Sequence, residues 1–259
     1  MAGLAELIDW YILSGVDDFC ADTPLSVLDF STDKIHQPQA AISKPDLRPA
    51  VTPLSQINAE ARRNAQELCQ KAMTLDDLKA MVENFDGCSL RFSANSTVFG
   101  YGNPQAEVMI IGEAPGADED RQGEPFVGRS GHLLDKMLLS IGLNRADCYI
   151  TNVLPWRPPG NRTPTDEEVV TCLPFLKRQI ELVMPKIIFI LGRSAANALL
   201  DNNDSISNLR GHFIDYCTQN GKIIQTLSSF HPAYLLRTTT QKAKAWNDLL
   251  RLKRKLEEM

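Results

Sequence analysis

Between Glu107 and Gly192 three short apolar runs alternate with two segments of helical periodicity, and that alternation leaves few folds open. Glu107–Gly112, Cys148–Val153 and Lys186–Gly192 have the length and composition of buried strands. Gly131–Ile141 sets Leu133, Leu134, Met137, Leu138 and Ile141 on one face of a helix. Thr165–Val183 reads as a longer helix, with Asp166, Glu167 and Glu168 suiting the positive end of its dipole. Strands that alternate with crossover helices form a parallel sheet covered on both faces. A short helix at Ser194–Leu200, a hairpin of Gly211–Tyr216 with Lys222–Leu227, and a closing helix at Ala243–Leu256 follow.

The part before this core is different. Leu4–Leu13 is an amphipathic candidate with Leu4, Leu7, Ile8 and Tyr11 on one face. From Ala21 to Pro53 the chain turns to Pro, Ser, Thr and Asp with weak periodicity, which reads as a linker. Ser55–Gln70 and Thr74–Asn84 read as two helices, the second capped by Thr74 with Asp77. The expected division is an extension over 1–73 and a main domain over 74–259. Met1–Val16 is interrupted by Glu6 and Asp9 and lacks a basic start, so it fails as a secretory signal, and no apolar run reaches membrane-spanning length. Six scattered cysteines without a C-x-x-C pair fit a reducing, cytoplasmic compartment. A net charge of −5 excludes a protein that coats nucleic acid by bulk electrostatics. It leaves room for a local basic patch, which Arg157, Arg162, Arg237, Lys242 and Lys244 supply.

Four stretches carry the chemistry: Gly112–Asp120, Gly123–Gly128, Ile150–Asn152 and Phe230–Arg237. Three lie where a predicted strand ends, which is where open α/β sheets bind ligands. Together they read as a pocket for one extruded nucleobase. Phe126 sits on a glycine-flanked loop that can present a ring face to a planar base; a core phenylalanine is the alternative. Asn152 ends an apolar strand, a costly place for a carboxamide unless its hydrogen bonds are used. Gly112, Gly116 and Ala117 permit close backbone approach, but no Gly-Lys-Ser/Thr follows, so a nucleotide-hydrolase phosphate loop is a poor alternative. His36, His132 and His212 read as structural.

Gly112–Asp120, Gly123–Gly128, Thr151–Asn152, Arg157–Pro164 and His231–Arg237 resemble, in identity, order and spacing, the motifs of family 4 uracil-DNA glycosylases, from about Thr74 to the C-terminus. The resemblance implies a three-layer α/β/α fold around a central, mainly parallel four-stranded sheet. It implies a monomer that flips uracil from DNA, hydrolyses the N-glycosidic bond in base-excision repair and leaves uracil and an abasic site. Phe126 then stacks on the base, and Gly112, Ala114 and Gly116 line it. Asn152 reads the uracil edge, and His231 donates to O2. Glu113, Glu119 and Asp120 are the carboxylates near the expected water; family 1 enzymes carry an aspartate where this chain has Ala114. Glu119 alternatively crowds C5 and turns thymine away. Arg157, Asn161 and Arg162 grip phosphates. Tyr234, Leu235, Leu236 and Arg237 form the strand-inserting loop, an apolar wedge beside a cation, with the first turn of a surface helix as the alternative.

Two departures stand out. Most family 4 enzymes hold a [4Fe–4S] cluster with four cysteines, whereas here Phe85 and Trp156 stand at two of those positions and only Cys88 and Cys172 remain. No cluster, and no other cofactor or metal, is expected. A related branch that cross-links to uracil-DNA carries a basic, His-containing insertion after the asparagine strand; this chain lacks it, which favours turnover. No lysine stands in the pocket motifs, so strand cleavage through a Schiff base is not expected. The competing reading is a non-catalytic DNA-binding or polymerase-associated module of the same fold. The extension before Pro53 is open to a protein partner, to docking on the core, or to disorder.

Overall fold

A computed structural model describes residues 54–259 of the chain. The helix expected at Leu4–Leu13 and the linker expected up to Pro53 lie outside the described residues. The sheet has six strands: β1 (Tyr101–Gly102), β2 (Val108–Gly112), β3 (Cys148–Asn152), β4 (Ile187–Leu191), β5 (Phe213–Cys217) and β6 (Ile223–Ser229). Their spatial order is β1-β3-β2-β4-β6-β5. The four central strands run parallel, and β1 and β5 add antiparallel edges. The expected four-stranded parallel core is therefore present, extended by one strand on each side. The hairpin expected after Gly211 is β5 paired with β6.

Every residue of β2, β3 and β4 is buried, as strands covered on both faces require. Alternation along β2 sends Val108 and Ile110 to one apolar cluster and Met109 and Ile111 to another. The first cluster packs under helix α5 (Arg129–Leu139) and α10 (Lys242–Glu257), the second under α6 (Asp166–Val183) and α7 (Arg193–Leu200). Of the residues expected inward on α5, Leu134, Met137, Leu138 and Ile141 are buried and Leu133 partly so.

A third cluster joins α1 (Leu54–Lys71) and α2 (Leu75–Asn84) to α6, through Ala65, Leu78, Val82 and Phe175. The cap of α2 is as expected: the Thr74 hydroxyl accepts from the Asp77 amide at 3.1 Å. Helix α3 (Leu90–Ser93), α4 (Ala117–Gln122), α8 (Ile206–Leu209) and α9 (Pro232–Arg237) are each one or two turns. No helix among the described residues is long and apolar enough to cross a membrane.

The chain passes from β2 to β3 on one side of the sheet and then to β4 on the other. That reversal opens a crevice beyond the strand ends.

Candidate active site

The crevice holds a cavity of about 400 Å³, built where β2, β3 and β6 end. Glu113, Ala114, Gly116 and Glu119 line it from the segment after β2, Phe126 from the next loop, and Asn152 from the tip of β3. Asn161 and Arg162 close one side, and His231, Tyr234 and Arg237 another. Pro115, Ser130, Pro158 and Ala233 also line it. Three of these fall inside recognised motifs without a chemical signature; Ser130 stands in the first turn of α5, two residues beyond the second motif.

Gly112 determines how the centre of the pocket is built. It pairs with Asn152 in the parallel ladder. A Cβ added at Gly112 would stand 2.6 Å from Phe126 Cζ and closer still to Asn152 Oδ1, so ring edge and carboxamide converge on one point. Asn152 is buried, and its carboxamide has no hydrogen-bond partner among the described residues. A carboxamide unpaired within the chain and open to the cavity at a strand end is poised for a ligand.

His231 caps α9, its Nδ1 accepting from the Ala233 amide at 3.1 Å. A neutral imidazole that accepts at Nδ1 carries its proton on Nε2, which leaves Nε2–H as the donor. Burial pushes the His231 pKa down to about 4, with the Arg237 charge adding to the effect. The ring is neutral at physiological pH. It stacks near Phe126, with centroids 5.6 Å apart and planes 28° from parallel.

The three candidate carboxylates face three different ways. Glu119 accepts from the amides of Gly116 (3.1 Å), Val127 (3.0 Å) and Gly128 (2.9 Å), so both its oxygens are engaged in tying two loops together. Asp120 is turned away from the cavity toward the Asn95 amide (2.8 Å), the Asn95 carboxamide (2.6 Å) and the Ser96 amide (3.2 Å). That corrects its expected place beside the water: successive helical residues point about 100° apart. Glu113 lines the cavity and has no partner among the described residues.

At the rim, Arg157 donates to Asn161 Oδ1 at 2.7 Å and approaches Asp120 at 3.9 Å. Arg162 forks onto Glu168 at 2.6 and 2.9 Å and holds that carboxyl below its usual range. Both arginines are thus braced. Arg237 makes no ion pair among the described residues. The expected wedge needs correction: Leu235 is 1% exposed in the core under α5, while Leu236 is 37% exposed. Of the two leucines, only Leu236 faces outward. Of the histidines expected to be structural, His132 and His212 are exposed and outside the cavity, and His36 lies outside the described residues.

Behind the site, Phe85, Cys88, Trp156 and Cys172 are all buried in the third cluster. The Phe85 and Trp156 rings stack with centroids 6.5 Å apart, and Phe175 meets Phe85 edge-on at 5.0 Å. Trp156 Nε1 donates to Thr97 Oγ1 at 3.0 Å. The Cys88 sulfur, to which the Cys172 thiol donates, together with burial pushes the Cys172 thiol up. Two thiols and two packed rings do not supply the four sulfur ligands of a cubane cluster.

The family model described as the uracil DNA glycosylase superfamily matches residues 99–250. The type-4 uracil-DNA glycosylase of Archaeoglobus fulgidus is 44% identical over 167 residues, covering 63% of this chain and 83% of the relative. That of Thermotoga maritima is 41% identical over 164 residues, with the same two shares. That of Pyrobaculum aerophilum is 39% identical over 180 residues, covering 68% of this chain and 92% of the relative.

Proposed function

The chain belongs to the uracil-DNA glycosylase superfamily, and from that premise we propose that it excises uracil from DNA as a monofunctional glycosylase of base-excision repair. The observation that carries this reading is the convergence of Phe126, the unpartnered Asn152 carboxamide and neutral His231 on one cavity. A base swung out of the duplex lies against Phe126, where stacking contributes about 1–3 kcal/mol without regard to base identity. Asn152 supplies identity. Its NH₂ donates to uracil O4 and its oxygen accepts from N3–H, whereas cytosine presents the reverse pattern. A mismatch at a built polar site can discriminate by about 10⁴-fold.

Cleavage transfers the electron pair of the C1′–N1 bond to the base and leaves positive charge on the sugar. The anion gathers at O2, where His231 Nε2–H donates. A neutral donor serves here because its position, and not its charge, is organised in advance. Water then adds to C1′. Glu113, the carboxylate left unpaired on the cavity wall, orients that water and takes its proton. Glu119 holds the two loops in register instead of touching the water. Arg237 and the braced Arg157–Arg162 segment receive phosphates, and Leu236 fills the vacated stack. All these groups come from one chain, which acts as a monomer.

The protein works without an iron–sulfur cluster; the aromatic pair Phe85–Trp156 packs in the same buried cluster as Cys88 and Cys172, and no step uses a metal. The test of function is uracil release from a single-uracil oligonucleotide. Asn152→Ala and His231→Ala should each remove most activity in a chain that is still folded at the assay temperature. Wild-type rates in both would refute the site.

A further inference from the structure

We propose that Arg145 is a positioning residue for uracil excision: from outside the cavity it grips the backbone of Phe126 and so sets the plate against which the base lies. This rests on the reading of Phe126 as that plate.

Phe126 adopts φ 55°, a left-handed conformation that a bulky residue holds only when its surroundings impose it. Arg145 lies in the single turn that leads into β3. Its Nη1 donates to the Phe126 carbonyl at 2.9 Å and its Nη2 to the Pro125 carbonyl, so one guanidinium takes two successive peptide oxygens. The fork is itself fixed. Asp135 of α5 stands 3.3 Å from Nη1, and the guanidinium lies over the Tyr101 ring at 5.0 Å. The side chain is only 18% exposed.

The far side of the loop is equally constrained. A Cβ at Gly131 would overlap the Phe126 carbonyl oxygen and stand 2.9 Å from its Cα, so this peptide is pressed onto the first turn of α5. Just beyond, Glu119 accepts from the Val127 and Gly128 amides. Two ionic side chains thus clamp one loop: Arg145 holds the carbonyls up to the strained residue, and Glu119 holds the amides after it. Lysine, a single point donor, cannot reproduce the fork. Arg145 is absent from the cavity wall, so its effect reaches the base only through the ring.

The experiment compares wild type, Arg145→Met, Arg145→Lys, Phe126→Ala and the double variant Arg145→Met with Phe126→Ala. Three quantities are read: kcat/KM on a uracil oligonucleotide, inhibition by free uracil, and affinity for an oligonucleotide carrying a tetrahydrofuran abasic analogue. Loss of ring placement should lower kcat/KM in Arg145→Met by about 10- to 100-fold and weaken uracil inhibition by a similar factor. Abasic DNA binding should stay within about twofold, because no base is there to stack. Arg145→Lys should recover part of the loss, and the double variant should be no worse than Phe126→Ala alone. Should the Met variant fail to fold, the Lys variant and the abasic control carry the test at smaller amplitude.

The proposal falls if uracil inhibition is unchanged in both Arg145 variants, if abasic binding drops as far as turnover, or if the two losses multiply in the double variant. If Phe126→Ala alone keeps wild-type turnover, the base-plate reading fails and this proposal with it. If Phe126→Ala is impaired and the Arg145 variants are not, the proposal alone is overturned.

Discussion

Replacing Gly112 by alanine should disable the pocket while leaving the chain folded. Gly112 ends β2 beside Asn152, and the added Cβ would lie 2.6 Å from Phe126 Cζ. Carbon atoms in contact rest at roughly 3.5–4.0 Å, so ring and carboxamide must each retreat by about 1 Å. A displacement of that size at reacting groups costs about 100-fold in rate, equivalent to about 2.7 kcal/mol of barrier. The stability effect is separate: overpacking by one methyl costs about 1–3 kcal/mol, and at about 2–4 °C per kcal/mol that lowers Tm by roughly 2–12 °C. Single-turnover uracil release, with a thermal melt on the same preparation, reads both. The expected result is a kcat/KM loss near two orders of magnitude in a protein still folded at assay temperature, with free-uracil inhibition weakened in parallel. Turnover within about threefold of wild type would show that Phe126 and Asn152 are not what holds the base, however well the fold survived.

Glu113→Gln should lower kcat by about 10²–10⁴-fold with little change in DNA affinity, read from single-turnover rates and gel-shift titration; full activity would assign the water elsewhere. With the His231 pKa near 4, kcat/KM should run flat through pH 6.5 and lose the His231 contribution only as the pH approaches 4; an acid limb centred on 6.5 that vanishes in His231→Gln would contradict this. The same depression means that the unfolded chain binds a proton between pH 6.5 and 4 that the folded chain refuses. The His231 contribution to stability is therefore present above 6.5 and lost as pH falls toward 4, and denaturant melts of wild type and His231→Gln at pH 5 and 7 should show it. Protein purified anaerobically should contain no stoichiometric iron and no broad visible absorbance; one cluster's worth of iron per chain would overturn the reading of Phe85 and Trp156. Asp248→Asn should cost about 3–5 kcal/mol by calorimetry, because the buried Asp248 carboxylate holds Arg210 (3.0 Å) and Ser229 (2.6 Å) just before Phe230 and His231.

What was legible in the chain follows from period and polarity. The central strands announce themselves because burial on both faces demands unbroken apolar runs, and Asn152 stands out because it ends one of them. Strand β1 has no such signature: Tyr101 and Gly102 pair with Ile150 and Tyr149 through backbone alone. Helix α4 is equally silent, since its six residues Ala117–Gln122 carry three carboxylates and no apolar stripe. With that helix unseen, its phase is unseen too. Glu119 and Asp120 are neighbours of identical chemistry in the sequence, yet one ties Gly116 to Gly128 and the other ties α4 to Asn95. Leu235 and Leu236 divide in the same way between core and solvent once Pro232–Arg237 is a helix. Motif reading narrows the neighbourhood; which of two like residues faces the cavity is decided by helical phase.

The two substituted cluster positions show the complementary case, in which identities are legible and consequences are not. Phe85 and Trp156 are visible in the sequence as the loss of two thiolates. Only the fold shows that the positions join three segments: the residues after α2, those after β3, and α6 itself. Four cysteine ligands would tie these segments through metal. Here the same junction is closed by apolar burial, with Trp156, Phe85 and Phe175 in contact and the single polar atom of the indole satisfied by Thr97. Fully burying each aromatic side chain contributes about 1.5–3 kcal/mol, and their stacking adds about 0.5–1.5 kcal/mol. Trp156 lies one residue before Arg157, at the foot of the rim segment Arg157–Arg162. Trp156→Cys alone, which restores a sulfur and not a cluster, should therefore loosen that rim and weaken DNA binding more than it slows cleavage of bound substrate.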